Sequence, residues 1–167
     1  AAGLDGLELR SGAPPLVRRS PEWRGPVFVD GWRFAASCTD RAVKQAIVGP
    51  FTLARHVAPR RPGRERVTLA LAEALNAERR AREAAGCPLI EGVEDGAITI
   101  GDDPAERGLF REAQSRMIAG IDGVHLSLAI RGGSAYPAGP ETIFAAPYAS
   151  YLFDLCAGPG IKTGQIA

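Results

Sequence analysis

Residues 64–95 read RERVTLALAEALNAERRAREAAGCPLIEGVED, and the change of period inside this stretch decides the fold class. Val67, Leu71, Ala74 and Leu75 recur at helical spacing and mark the apolar face of a helix expected over residues 64–85. Glu78 and Arg82 stand four apart in the favourable orientation, on what reads as its solvent side. Gly86 supplies a stop, and Pro88 blocks continuation. Residues 89–93 then form a short apolar strand that runs into the acidic pair Glu94–Asp95. A long amphipathic helix handed to a short buried strand is one step of a repeating βα pattern.

The same rhythm extends in both directions. Upstream, residues 27–29 read as a strand opened by Gly25–Pro26, and residues 45–48 as another, closed by Gly49–Pro50. A helix is expected to begin over residues 52–57 and to end at Pro59, before a polar, turn-rich connection at 60–64. Downstream, Asp103 has the form of an N-cap, with Pro104 at the first helical position and Glu106 placed to reach back. Leu109, Phe110, Ala113 and Met117 give that helix its buried stripe, and Gly120 ends it. Residues 124–130 are almost continuously apolar, as in a strand of a parallel sheet buried on both faces. A flexible loop follows at 131–134, and a last helix is expected over roughly 141–156. The pattern predicts an α/β chain with a parallel sheet, whose chemistry lies at the C-terminal ends of the strands. The positions that matter are therefore 30–32, 49–52, 91–95 and 125–134.

Composition narrows the function classes. The chain has 167 residues, 20 Lys+Arg against 19 Asp+Glu, and a formal net charge of +1. That balance predicts no nucleic-acid or membrane partner, and no apolar run approaches the ~18–20 residues that span a bilayer. No secretory signal pattern opens the sequence, so a cytoplasmic, soluble protein is expected. Hydrophobic residues make up 46%, enough for a core. Cys38, Cys87 and Cys156 are odd in number, far apart and without a CxxC pair, which argues against a disulfide framework or a zinc ribbon. His56 and His125 are the only histidines.

Read in order, the strand ends resemble a family. Val48-Gly-Pro-Phe-Thr-Leu-Ala54 looks like the strand-to-loop segment shared by cobalamin-independent methionine synthases and uroporphyrinogen decarboxylase-like proteins. Leu69-Ala-Leu-Ala-Glu-Ala-Leu-Asn-Ala-Glu78 and Ala84-Ala-Gly-Cys-Pro-Leu-Ile-Glu91 resemble the family's next helix and strand. Val93-Glu-Asp-Gly-Ala-Ile98 stands where the family has an Asp-Glu-Pro-Ala-like motif, and His125-Leu-Ser-Leu-Ala129 where the methionine synthases carry His-x-Cys. The resemblance covers about residues 27–158 and is best with the methionine synthase branch. It implies a (β/α)8 TIM-barrel fold, here a partial barrel of four to five βα units, since the full barrel needs about 250 residues. Residues 1–167 are then a single barrel domain incomplete at both ends, with a second copy as one way to complete it.

The resemblance implies methyl transfer from 5-methyltetrahydrofolate to a thiol such as homocysteine. In the family, zinc held by Cys, His and Glu keeps the sulfur a thiolate. Here Glu94 and Asp95 match the acidic motif and are candidates to hold the small-molecule substrate's ammonium. For zinc, His125 is the one recognisable ligand, because Ser127 stands at the thiolate position and a hydroxyl binds zinc poorly. His125 is also the best single polar candidate near the barrel mouth. Gly49 and Thr52 are placed to meet a ligand at a helix start, and Trp32 to stack on a flat ring such as a pterin. Two alternatives stay open: a non-catalytic or fragmentary barrel protein, and a uroporphyrinogen decarboxylase-like or corrinoid methyltransferase-like member.

Overall fold

The computed structural model describes residues 3–59 and 63–154. The elements run β1 (Leu4–Arg10), β2 (Ala13–Trp23), α1 (Val29–Ser37), β3 (Lys44–Val48), α2 (Pro50–Leu53), β4 (Ala58–Pro59), α3 (Arg64–Ala84), β5 (Leu89–Val93), α4 (Pro104–Ile118), β6 (His125–Ile130), α5 (Pro140–Ile143) and β7 (Ser150–Phe153). Short 3-10 turns at Asp95–Thr99 and Tyr136–Ala138 follow β5 and β6.

Four strands make one parallel sheet in the order β3-β5-β6-β7. The register sets Ile47 beside Gly92, Leu128 and Tyr151, and Gln45 beside Ile90 and Leu126. These residues share one face by the two-residue period of a strand. That face meets the helices: a Cβ on Gly92 would lie 2.5 Å from Arg79 Nη2 on α3 and 3.5 Å from Met117 Cε on α4. Ile47, Ile90, Leu126 and Leu128 form the main core there with Phe110, Ala113 and Met117. The opposite face carries the row Val48, Val93, Ala129, Leu152, the row Ala46, Glu91, Ser127, Ser150, and Lys44, Leu89 and His125. Its middle residues are buried, whereas Lys44, Ala46, Val48, His125 and Leu152 are exposed. The architecture is α/β with a parallel sheet, and among the described residues the sheet is not closed into a barrel. No helix among the described residues is long and apolar enough to cross a membrane.

A second, smaller sheet joins β1 antiparallel to β2 and β2 parallel to β4. Val17 of β2 packs with Ala54, Val57, Val67 and Leu71 in a separate cluster against α3. This layer explains why Glu78 and Arg82, expected on the solvent side of α3, are 2% and 0% exposed. Glu78 accepts hydrogen bonds from the Trp23 indole N–H at 2.8 Å and from the Val27 and Phe28 amides at 3.0 and 3.1 Å. Arg82 stacks its guanidinium 5.0 Å from the Phe28 ring centroid.

Other departures from the sequence expectation have local causes. Residues 27–29 form no strand; Val29 instead starts α1, which buries Val29 and Trp32 one turn apart. The helix expected over 52–57 begins two residues earlier, with Pro50 at its first turn, and stops at Leu53. The helix expected over 141–156 is only α5, and residues 150–153 pair with β6 as a parallel strand. Residues 155–156 of that expected helix, with Cys156, lie outside the described residues. Asp103 does cap α4, accepting from the Ala105 amide at 2.8 Å. Glu106 does not reach back; its carboxylate takes the guanidinium groups of Arg55, at 2.8 Å, and Arg64.

Candidate functional site

The C-terminal ends of β5 and β6 bring two acidic residues to different places. Val93, the last residue of β5, lies on the face opposite the helices, and Glu94 after it turns its side chain toward α2 and α4. Glu94 is 0% exposed. Its carboxylate accepts from the amides of Phe51 and Thr52 at 3.1 and 2.8 Å, from the Thr52 hydroxyl at 2.6 Å and from Gln114 Nε2 at 2.7 Å. The N-terminal amides of α2, where a ligand was expected to meet Gly49 and Thr52, are thus taken by the chain's own carboxylate. A Cβ at Gly49 would collide with that carboxylate, so a glycine is needed for Glu94 to approach. Burial pushes the Glu94 pKa up, and the hydrogen bonds from Thr52, Gln114 and Phe51 offset part of that rise. Gln114 in turn accepts from the Tyr148 hydroxyl at 2.7 Å, and burial pushes the Tyr148 pKa up to about 12. Gln114 and Tyr148 are polar partners that no strand-end motif announces, because they come from α4 and from the segment before β7.

Asp95 is the acidic residue that reaches the rim. Its carboxylate accepts from the Arg131 amide at 2.9 Å and from Arg131 Nε and Nη2 at 3.2 and 3.0 Å, joining the ends of β5 and β6. The hydrogen bond to Asp95 holds the Arg131 guanidinium protonated, with a further contribution from the field of Glu91. Glu91, two residues before Val93 on the face opposite the helices, is 7% exposed and accepts from Lys44 Nζ at 2.7 Å. The Gly96 amide donates to the Thr52 hydroxyl at 2.9 Å, tying the loop after β5 to α2. The rim therefore presents a carboxylate beside a guanidinium, both half-exposed, a pair complementary to the ammonium and carboxylate of an amino acid.

The remaining candidates lie elsewhere. His125 is the first residue of β6, so it is at the strand's N-terminal end and not near the mouth, roughly 17 Å from Ile130 at the rise of a strand. Its Nε2 lies 2.8 Å from the Ser150 hydroxyl. Trp32 is 8% exposed in the core, with its indole N–H donated to the Val43 carbonyl at 3.0 Å, because residues 29–37 form a helix. The geometry brings Gly49, Thr52, Glu94 and Asp95 together at one end of the sheet and leaves Trp32 and His125 out.

Among the described residues the side chains at this end of the sheet make no ligand set for zinc. Among the described residues no three His, Cys, Asp or Glu side chains gather into a ligand set. Ser127 lies 3.5 Å from Glu91, Cys87 is buried, and Cys38 is exposed on a different element.

Solved structures that share this fold include two of methionine synthase type. A B12-independent methionine synthase from Shewanella sp. W3-18-1, in complex with selenomethionine, matches with a TM-score of 0.67 and 22% identity over 81% of this chain and 43% of that one. A protein from Listeria monocytogenes assigned as a vitamin-B12 independent methionine synthase matches with a TM-score of 0.75 and 18% identity over 89% of this chain and 50% of that one. The chain spans about half the length of these proteins. No protein-family model matches it. The fold is methionine synthase-like.

Proposed function

We propose that the chain is a methionine synthase-like methyltransferase portion that takes a thiol amino acid such as homocysteine at the ends of β5 and β6, with 5-methyltetrahydrofolate as methyl donor. The observation that carries this reading is the Asp95–Arg131 pair at the C-terminal end of a parallel sheet that matches methionine synthases over 81% and 89% of the chain. The complex of the Shewanella protein with selenomethionine, an amino acid with a methylated selenium, supports the same substrate class.

The reaction joins the thiol sulfur to the methyl carbon as the N5–methyl bond of the folate breaks; the thiol loses a proton and N5 gains one. Asp95 accepts hydrogen bonds from the substrate ammonium, and Arg131 donates to its carboxylate, so their mutual pair opens as the amino acid enters. Glu94 acts indirectly. By holding Phe51, Thr52 and Gln114 it fixes the loop that carries Gly49 and, through Thr52, the Gly96 amide beside Asp95.

The test is methionine formation from homocysteine and 5-methyltetrahydrofolate by the purified chain, with and without added zinc. Turnover that drops in Asp95→Asn is expected, and its absence from a well-folded sample overturns the reading. The missing convergence of metal ligands favours one second reading, a binding member without turnover. That reading predicts amino-acid binding that Asp95→Asn weakens, with no methionine formed.

A further inference from the structure

Arg79 of α3 is 0% exposed, and among the described residues none of its three guanidinium nitrogens has a well-formed hydrogen bond. An unpaired cation is costly in a core, so one that persists there points to a role other than stability. A glycine makes its place: a Cβ on Gly92 of β5 would lie 2.5 Å from Arg79 Nη2. The other buried charged side chains are Glu78, Arg82, Glu91 and Glu94. Glu78 pairs with Arg82 at 3.5 Å, and Glu91 with Lys44 at 2.7 Å on the opposite face of the sheet. Arg79 and Glu94 are left, one of each sign, both on the helix side. Glu94 follows Gly92 by two residues, roughly 7 Å along an extended chain. Tyr148 and Gln114 link the two. Burial raises the Tyr148 pKa, and the charge of the neighbouring Arg79 offsets part of that rise. The Tyr148 hydroxyl donates to Gln114 at 2.7 Å, and Gln114 donates to Glu94 at 2.7 Å.

We propose that Arg79 is a positioning residue for the strand-end site: its buried guanidinium is the counter-charge that keeps the Glu94 carboxylate ionised, and the ionised carboxylate holds the loop that presents Asp95. The proposal deepens the reading of the rim as an amino-acid site and rests on that reading for its binding readout. Ionised, Glu94 accepts from all four of its donors, the Phe51 and Thr52 amides, the Thr52 hydroxyl and Gln114. With its hydrogen committed to Glu94, the Thr52 hydroxyl is free to accept from the Gly96 amide at 2.9 Å. A proton on either carboxylate oxygen displaces one of these donors or turns the Thr52 hydrogen away, and loosens the Gly96 anchor beside Asp95. The groups around Glu94 leave this role to Arg79. Thr52 on α2 and Gln114 on α4 are neutral, and Tyr148 holds its proton up to about pH 12. Asp95, next in the chain, is turned out to Arg131. Arg55 and Arg64, whose guanidinium carbons lie 4.8 and 5.6 Å from the Phe51 ring centroid, are taken by Glu106.

The test is a carbon-NMR titration of the Glu94 carboxyl in the unmodified chain, in Arg79→Met and in Arg79→Lys. Arg79→Met removes the charge and is expected to raise the Glu94 midpoint by about one pH unit, whereas Arg79→Lys keeps a cation and most of the original midpoint. Homocysteine affinity is then expected to be about fivefold weaker in Arg79→Met at the unmodified chain's midpoint, and equal well above both midpoints. A midpoint that Arg79→Met leaves in place overturns the proposal, and so does an affinity loss of the same size at every pH, which a merely structural role would give. If Arg79→Met does not fold, the unmodified chain decides. The Arg79 Nε and Gly96 amide resonances are expected to shift with the Glu94 midpoint, and silence of either one there overturns the proposal. Absence of homocysteine binding from the folded, unmodified chain counts against the amino-acid reading alone, since the midpoints and the Gly96 response are read without ligand.

Discussion

Glu94 is the residue on which the strand-end geometry turns. A buried carboxylate surrounded by four donors is retained because each donor would otherwise lose its partner in the interior. Glu94→Ala leaves the Phe51 and Thr52 amides and Gln114 without an acceptor, and is expected to lower stability by about 3 kcal/mol in urea unfolding. The pH dependence has a definite sign. Burial raises the Glu94 pKa in the folded state, so its contribution is fully present below the unfolded value near 4.5 and is lost as pH rises through the folded value. Unfolding free energies measured upward from pH 4.5 should show the gap between the unmodified chain and Glu94→Ala narrowing; a gap that widens contradicts the assignment. Gly49→Ala drives a methyl group into the same carboxylate and is expected to cost about 1–3 kcal/mol, read as a lower midpoint of thermal unfolding.

At the scale of elements, α3, β5, α4 and β6 were legible because each carries its own period and its own stop. The cap at Asp103 is the clearest: Asp103→Ala is expected to cost about 1 kcal/mol, measured by denaturant unfolding, with the position of α4 unchanged. The hairpin β1–β2 was not legible. Pro14, Pro15 and Pro21 mask β2, as prolines are tolerated only at strand edges and irregularities, and only the Ser11–Gly12 turn marks the reversal. β7 was hidden in a stretch whose apolar residues also satisfy a helical spacing, and its strand state comes from pairing with β6. The site divided along the same line. The acidic pair after β5 is visible in the sequence, and the turn into the 3-10 helix at Asp95 sends the two side chains to different places. Their partners are not visible, because Arg131, Gln114 and Tyr148 arrive from positions 36, 20 and 34 residues away along the chain from the groups they bond.

For the molecule as a whole, a four-stranded parallel sheet, covered by helices on one face and, among the described residues, unpaired along both edges, places a carboxylate and a guanidinium at the C-terminal end of its strands. Trp32 and His125 contribute to packing and to the far end of the sheet, so the proposed substrate recognition is concentrated on Asp95 and Arg131. That concentration is open to a direct measurement, a titration of homocysteine into the isotope-labelled chain followed by amide NMR. The predicted result is saturable shifts clustered at Asp95, Gly96, Arg131 and Gly132 that disappear in Asp95→Asn. Shifts confined to residues away from Asp95 and Arg131, or no shifts at all, would contradict it.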